Sequence, residues 1–85
     1  MEKHIIFGVH ITDRTRRAAE VQQLLSEYGC YIKTRLGLHE TSTNACSPNG
    51  LVLLEMLNDG SESRALFDKL SAVEGVDIQQ MVFDH

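Results

Sequence analysis

His39 and Cys46 are the side chains in this sequence best suited to binding a soft metal. They lie in a polar loop over 39–49 that also carries Ser, Thr and the only Pro. An imidazole and a thiolate suit zinc, nickel or copper, and His10 becomes a third donor where a subunit contact brings it near. Two loop ligands do not close a structural site, so the other reading is a polar loop His and an inert Cys. A second cluster is cationic: Arg14, Arg16 and Arg17 stand where a helix begins, against the preference of the helix dipole for acids. They either hold an anion at the helix N-terminus or spread into water and pair with Asp13 and Glu20. Ser and Thr are plentiful over 41–47, but no His–acid pair is placed by spacing to activate one. There is also no phosphate-binding glycine loop and no paired carboxylate. No enzyme and no cofactor is therefore expected; in a small enzyme of this size His10 or His39 would be the base.

Composition narrows the class of partner. With 8 basic against 12 acidic residues and a net charge of -4, the chain has no electrostatic footprint for wrapping nucleic acid or adhering to an anionic membrane. No apolar run is long enough to cross a bilayer, and the start MEKHIIFGVHIT does not read as a signal peptide. Cys30 and Cys46 read as free thiols of a cytoplasmic protein. An apolar share of 42% in 85 residues implies one domain over 1–85 with a real but small core, which self-association would help.

The elements that must position these groups follow from periodicity. Over 4–12, Ile5, Phe7, Val9 and Ile11 alternate with Ile6, Gly8, His10 and Thr12, which predicts a strand with one oily face. Thr12 or Asp13 then offers a capping oxygen to a helix starting near Arg14. Its stripe is Ala18, Val21, Leu25 and Tyr28, widened by Leu24, and Gly29 stands where a left-handed terminator is wanted. A second strand is expected over 30–38, with Cys30, Ile32, Thr34, Leu36 and Leu38 on one face and Tyr31, Lys33, Arg35 and Gly37 on the other. Lys33 and Arg35 would protect it as an edge strand. LVLLEML over 51–57 is apolar on both faces and predicts a central strand. The turn 58–61 runs into a cap, and Ala65, Leu66, Phe67, Leu70 and Val73 supply the face of a second helix closed by Gly75. A last strand over 76–83 sets Val76, Ile78 and Val82 against Met81 and Phe83.

Asp13 and Asp59 start these helices and Gly29 and Gly75 end them, at the same separation of 46 residues (59 − 13 and 75 − 29). Two β-α-β halves of equal pitch give βαββαβ, a ferredoxin-like α+β sandwich with a four-stranded antiparallel sheet and both helices on one face. The other face would hold Ile6, His10, one apolar set of the third strand and one of the last. That is too much apolar surface for water, so a homo-oligomer is expected, a dimer or a tetramer built as a dimer of dimers.

The stretch IKTRLGLHE, a polar loop with one Cys, and the strand PNGLVLLEM resemble the small ACT-like regulators of the iron-only hydrogenase system. Their fold is related to the C-terminal domain of nickel-responsive regulators. The resemblance runs through essentially the whole chain. It implies an oligomeric regulatory module acting through a small effector or a protein partner, with any effect on transcription passing through another protein. It also implies effector positions in the first strand-to-helix turn and in a neighbouring subunit's hairpin. In this chain those are Ile11, Thr12, Asp13 and Arg14, with Leu36, Gly37, Leu38 and His39. The first turn carries no glycine, Gly8 being the nearest, and the His-x-His pair of the nickel regulators is absent. A ligand is expected at the loop 39–49, completed by another subunit.

Overall fold

The computed structural model describes the backbone of residues 3–12, 14–38, 50–57 and 60–84, and side chains there except at 14–16 and 38. In order they form β1 (Lys3–Ile11), α1 (Arg14–Glu27), a 3-10 turn (Gly29–Tyr31), β2 (Ile32–Leu38), β3 (Gly50–Met56), α2 (Ser61–Ser71) and β4 (Val76–Asp84). The strands make one sheet in the order β2-β3-β1-β4, and every neighbouring pair is antiparallel. This is the ferredoxin-like α+β arrangement.

Alternation dictates the sheet's two faces. Ile5, Phe7, Val9 and Ile11 of β1 are buried with Leu54 and Met56 of β3; Val21 and Leu25 of α1, Tyr28 just after it, and Leu66 and Leu70 of α2 cover them. Each such side chain contributes about 1.5–3 kcal/mol on burial. The ring of Phe7 meets Phe67 edge-on at a centroid distance of 5.3 Å, and the Lys69 ammonium lies 5.1 Å from the Tyr28 ring centroid, covering it at the surface.

Three local expectations change. Among the described residues only Gly75, of the two helix-ending glycines, is left-handed, with φ 84. Gly29 needs no such conformation because α1 tightens into the 3-10 turn. There Tyr31 N–H donates to the Tyr28 carbonyl at 2.9 Å, and Leu57 N–H donates to the Tyr31 carbonyl at 2.9 Å. Second, that turn takes up Cys30 and Tyr31, so β2 begins at Ile32, and its alternation is broken. Ile32 opposes Met56 but Thr34 opposes Glu55, leaving Lys33 as an extra residue. One inserted residue inverts the faces, so Ile32 packs against the core while Thr34 and Leu36 belong to the opposite side. Third, the N-cap of α2 is Gly60, which has no side-chain oxygen to offer; Asn58 and Asp59 lie outside the described residues.

Gly75 ties the two halves of the repeat together. The Thr12 N–H donates to the Gly75 carbonyl at 2.7 Å, joining the turn after β1 to the turn before β4. A Cβ on Gly75 would lie 3.2 Å from the Thr12 carbonyl oxygen, at a φ that side chains disfavour.

Candidate functional site

Because both helices pack on one side, the other side of the sheet is an open face whose composition is set by register. Three rows cross it from β2 to β4: Thr34, Glu55, Ile6 and Met81; then Leu36, Leu53, Gly8 and Gln79; then Leu38, Leu51, His10 and Asp77. His4 and Phe83 pair beyond the first row. Leu36 is 51% exposed, Met81 50% and Phe83 53%, while Ile6, Leu51 and Leu53 are half-buried by their neighbours. The expected apolar sets are thus resolved to Leu51 and Leu53 of β3 and to Met81 and Phe83 of β4.

Gly8 sits in the middle row. A Cβ there would meet Leu53 Cδ2 at 3.9 Å and the Gln79 carbonyl oxygen at 4.0 Å, both ordinary contacts. The fold of one chain therefore has room for a side chain at this point. A strand glycine in such a place leaves a shallow depression where another surface approaches closely.

One polar group interrupts the apolar band. Glu55 receives a hydrogen bond from the Thr34 hydroxyl at 3.1 Å on one carboxylate oxygen and lies 3.2 Å from His4 Nδ1 on the other; Lys33 Nζ is 3.9 Å away. An ionised carboxylate only accepts, so His4 Nδ1 is the donor. The Thr34 hydroxyl, then His4, hold the Glu55 carboxyl below its usual value; slight burial opposes them and Lys33 assists. This His–acid pair was not legible as spacing, since the partners are 51 residues apart; only the β1–β3 register brings them together. Its chemistry is a bridge across three strands. The carboxylate stands between the imidazole and the hydroxyl.

The residues singled out in the sequence are distributed as follows. Thr12 is exposed at the end of β1, and Leu36, Gly37 and Leu38 finish β2 at the same end of the sheet, with β3 between them. His10 is exposed there on the open face, in one row with Leu38 and across from Asp77. Asp13, His39 and Cys46 lie outside the described residues, as do the side chains of Arg14 and Arg16. Arg17 takes the paired reading: its guanidinium bonds Glu20 at 3.2 Å and Glu74 at 3.0 Å. Cys30 is a free, exposed thiol. No cluster of three or more His, Cys, Asp or Glu that could hold a metal occurs among the described residues. None of the described helices is long and apolar enough to cross a membrane.

Sequence reading missed a cleft on the helix side. It has a volume of about 350 Å³ and opens between α2 and the β1–β4 edge, lined by Lys3, Phe7, Arg64, Phe67, Gln80 and Val82 among others. Its lining mixes the apolar Ile5, Phe7, Phe67 and Val82 with polar side chains such as Lys3, Arg64, Asp68 and Gln80. It lies away from the strand-to-helix turn at Thr12, and its residues are gathered from three elements with no shared motif.

No protein-family model matches the chain, and no curated protein matches it. Among solved structures, an uncharacterized protein of Thermotoga maritima is similar with a TM-score of 0.81 at 24% identity, over 98% of this chain and 100% of that one. A formyltetrahydrofolate deformylase from Burkholderia mallei gives a TM-score of 0.60 at 16% identity; 95% of this chain is covered but only 28% of the deformylase. A dimeric ferredoxin-like protein from an uncultured marine organism gives 0.54 at 10% identity, over 98% of this chain and 94% of that one. At these identities the likeness is one of fold, and the fold they share with this chain is the ferredoxin-like sandwich.

Proposed function

We propose that this chain is an oligomeric regulatory module of ACT-like type. It acts by binding a small effector or a protein partner, without catalysing a reaction and without contacting nucleic acid itself. The observation that carries the reading is the open face. Ile6, Leu36, Leu51, Leu53, Met81 and Phe83 form an apolar band that the two helices leave uncovered. Bands of this kind mark interaction surfaces. A second copy supplies a self-complementary cover, and the Gly8 depression lets the two faces approach. The dimeric ferredoxin-like neighbour is a precedent for assembly on this fold.

The effector positions of the resemblance fit this assembly. Thr12 and the end of β2 share one end of the sheet but are separated by β3, so a ligand joining them is best held between subunits. The link to the iron-only hydrogenase system rests on the sequence resemblance alone. It predicts that deleting the gene in its host changes hydrogenase activity or maturation.

Light scattering tests the core of the reading. A particle larger than one chain at micromolar concentration is expected, and Leu53→Asp, which puts a charge in the middle row, should reduce its mass while circular dichroism stays unchanged. A wild-type chain that remains monomeric sinks the proposal.

A further inference from the structure

Two elements break their apolar pattern at the same place. On α2 the buried positions are Ser63, Leu66 and Leu70, so the inward stripe of that helix starts with a hydroxyl residue that is only 2% exposed. On β4 the residues turned toward the helices are Val76, Ile78, Gln80 and Val82; Val76 and Ile78 pack against the core, and an amide follows them. Ser63 and Gln80 both line the cleft between α2 and the β1–β4 edge. Polar groups set at core-pattern positions of two elements and turned to one cavity are the kind of departure that functional sites show. Val82 lines the cleft as well. It is 45% exposed although it pairs with buried Ile5, so covering the open face with a second copy leaves it bare.

We propose that this cleft binds a small monocarboxylate with an aromatic or branched apolar body. The inference gives the small effector proposed above a place of its own, apart from the strand-to-helix turn, and rests on that reading for its regulatory use. Size sets the first limit. At about 30 Å³ for each water-sized group, a volume of about 350 Å³ holds roughly a dozen such groups. The body is matched by Ile5, Phe7, Phe67 and Val82, and the edge-on pair of Phe7 and Phe67 offers a ring further aromatic contact. Charge sets the second limit. Lys3 and Arg64 stand in the lining against the single carboxylate of Asp68, and both cations are exposed, as groups at the mouth must be. A guanidinium matches a carboxylate as a two-pronged donor. The pair between Lys3 and Asp84 at 3.7 Å joins two exposed side chains and is worth little, so a ligand carboxylate competes for that ammonium. Ser63 and Gln80 add neutral hydrogen-bonding groups.

The test titrates the full chain with phenylacetate and with phenylacetamide, which has the same shape and no charge, and follows backbone amide shifts by NMR. A fragment of this size in a formed site binds with a Kd of about 1 mM or tighter. Phenylacetate should saturate in that range, move the amides over 3–7, 63–68 and 80–82, and bind at least about tenfold tighter than the amide, as a charge-assisted contact requires. Arg64→Gln should remove most of that preference. Gln80→Val, which restores the apolar pattern of β4, should weaken phenylacetate binding while the urea midpoint holds or rises. No saturation, shifts that centre on Thr12 and the end of β2 instead, or an amide that binds as tightly as the acid overturns the proposal. Equal binding by both variants and wild type overturns it too. The comparison of acid and amide on wild type decides the matter should a variant fail to fold. Light scattering of the same samples reads the oligomer separately, so a cleft that stays empty leaves the open-face assembly standing.

Discussion

Gly75 and Glu55 show how much one residue can hold. Replacing Gly75 by Ala forces a side chain into a left-handed backbone and against the Thr12 carbonyl at 3.2 Å. The cost should be about 1–3 kcal/mol, read as a lower urea midpoint with an unchanged slope. Alanine at Gly29 should cost less, since its backbone is right-handed and a Cβ there meets nothing within 4 Å. For Glu55 the sign follows from the depressed carboxyl. A group whose folded pKa lies below its unfolded value adds stability that is complete above the ordinary value of 4.5 and is lost as the pH falls through the folded one. Wild type should therefore exceed Glu55→Gln in stability at pH 7, and the gap should close on acidification below the ordinary carboxylate range. Urea midpoints of both proteins across that range check it; a gap that is independent of pH would refute the bridge.

At the scale of elements, α2 is held by a narrow set of contacts. Leu66 and Leu70 are fully buried, and Gly60 at the N-cap offers the helix no side-chain oxygen. Its stability therefore comes from packing, as is usual for a helix this short. Leu66→Ala should cost about 2–5 kcal/mol in urea unfolding, because the rigid sheet beneath cannot collapse into the space. The bulge in β2 is the other element-level device. Deleting Lys33 removes the bulge and leaves every pairing in place, with Ile32 opposite Met56 and Thr34 opposite Glu55, so Thr34 and Leu36 stay on the open face. The Thr34–Glu55 hydrogen bond should survive and amide protection in β2 should be kept; lost protection across β2 would mean that the register had slipped.

For the whole molecule, the uncovered open face makes the proposed assembly testable through stability. An assembly formed by the folded state alone would raise the melting temperature of wild type with protein concentration and leave that of Leu53→Asp flat. A flat curve for wild type would mean that the apolar band of one chain is tolerated in water. At the same scale, Thr12 and the end of β2, the positions that the resemblance marks for an effector, share one end of the sheet with β3 between them.

Much of this was legible in the sequence because it depends on period. Alternation in 4–12 and 51–57, the helical stripes at Val21, Leu25, Leu66 and Leu70, and the equal spacing of the two halves determined the element order and the ferredoxin-like fold. Hydrophobic patterning is a local property, and one chain displays it in full. What period cannot carry is register and small insertions. The inversion of β2 at Lys33, the bridge from His4 and Thr34 to Glu55, the α2–β4 cleft and the bond from Thr12 to Gly75 arise where distant segments meet. The expected metal and effector residues His39, Cys46 and Asp13 lie outside the described residues. Tertiary structure alone decided which apolar sets remain uncovered. Antiparallel pairing puts Leu53 beside Gly8 and Met81 beside Ile6, and that pairing makes one continuous surface out of residues that are scattered in the sequence.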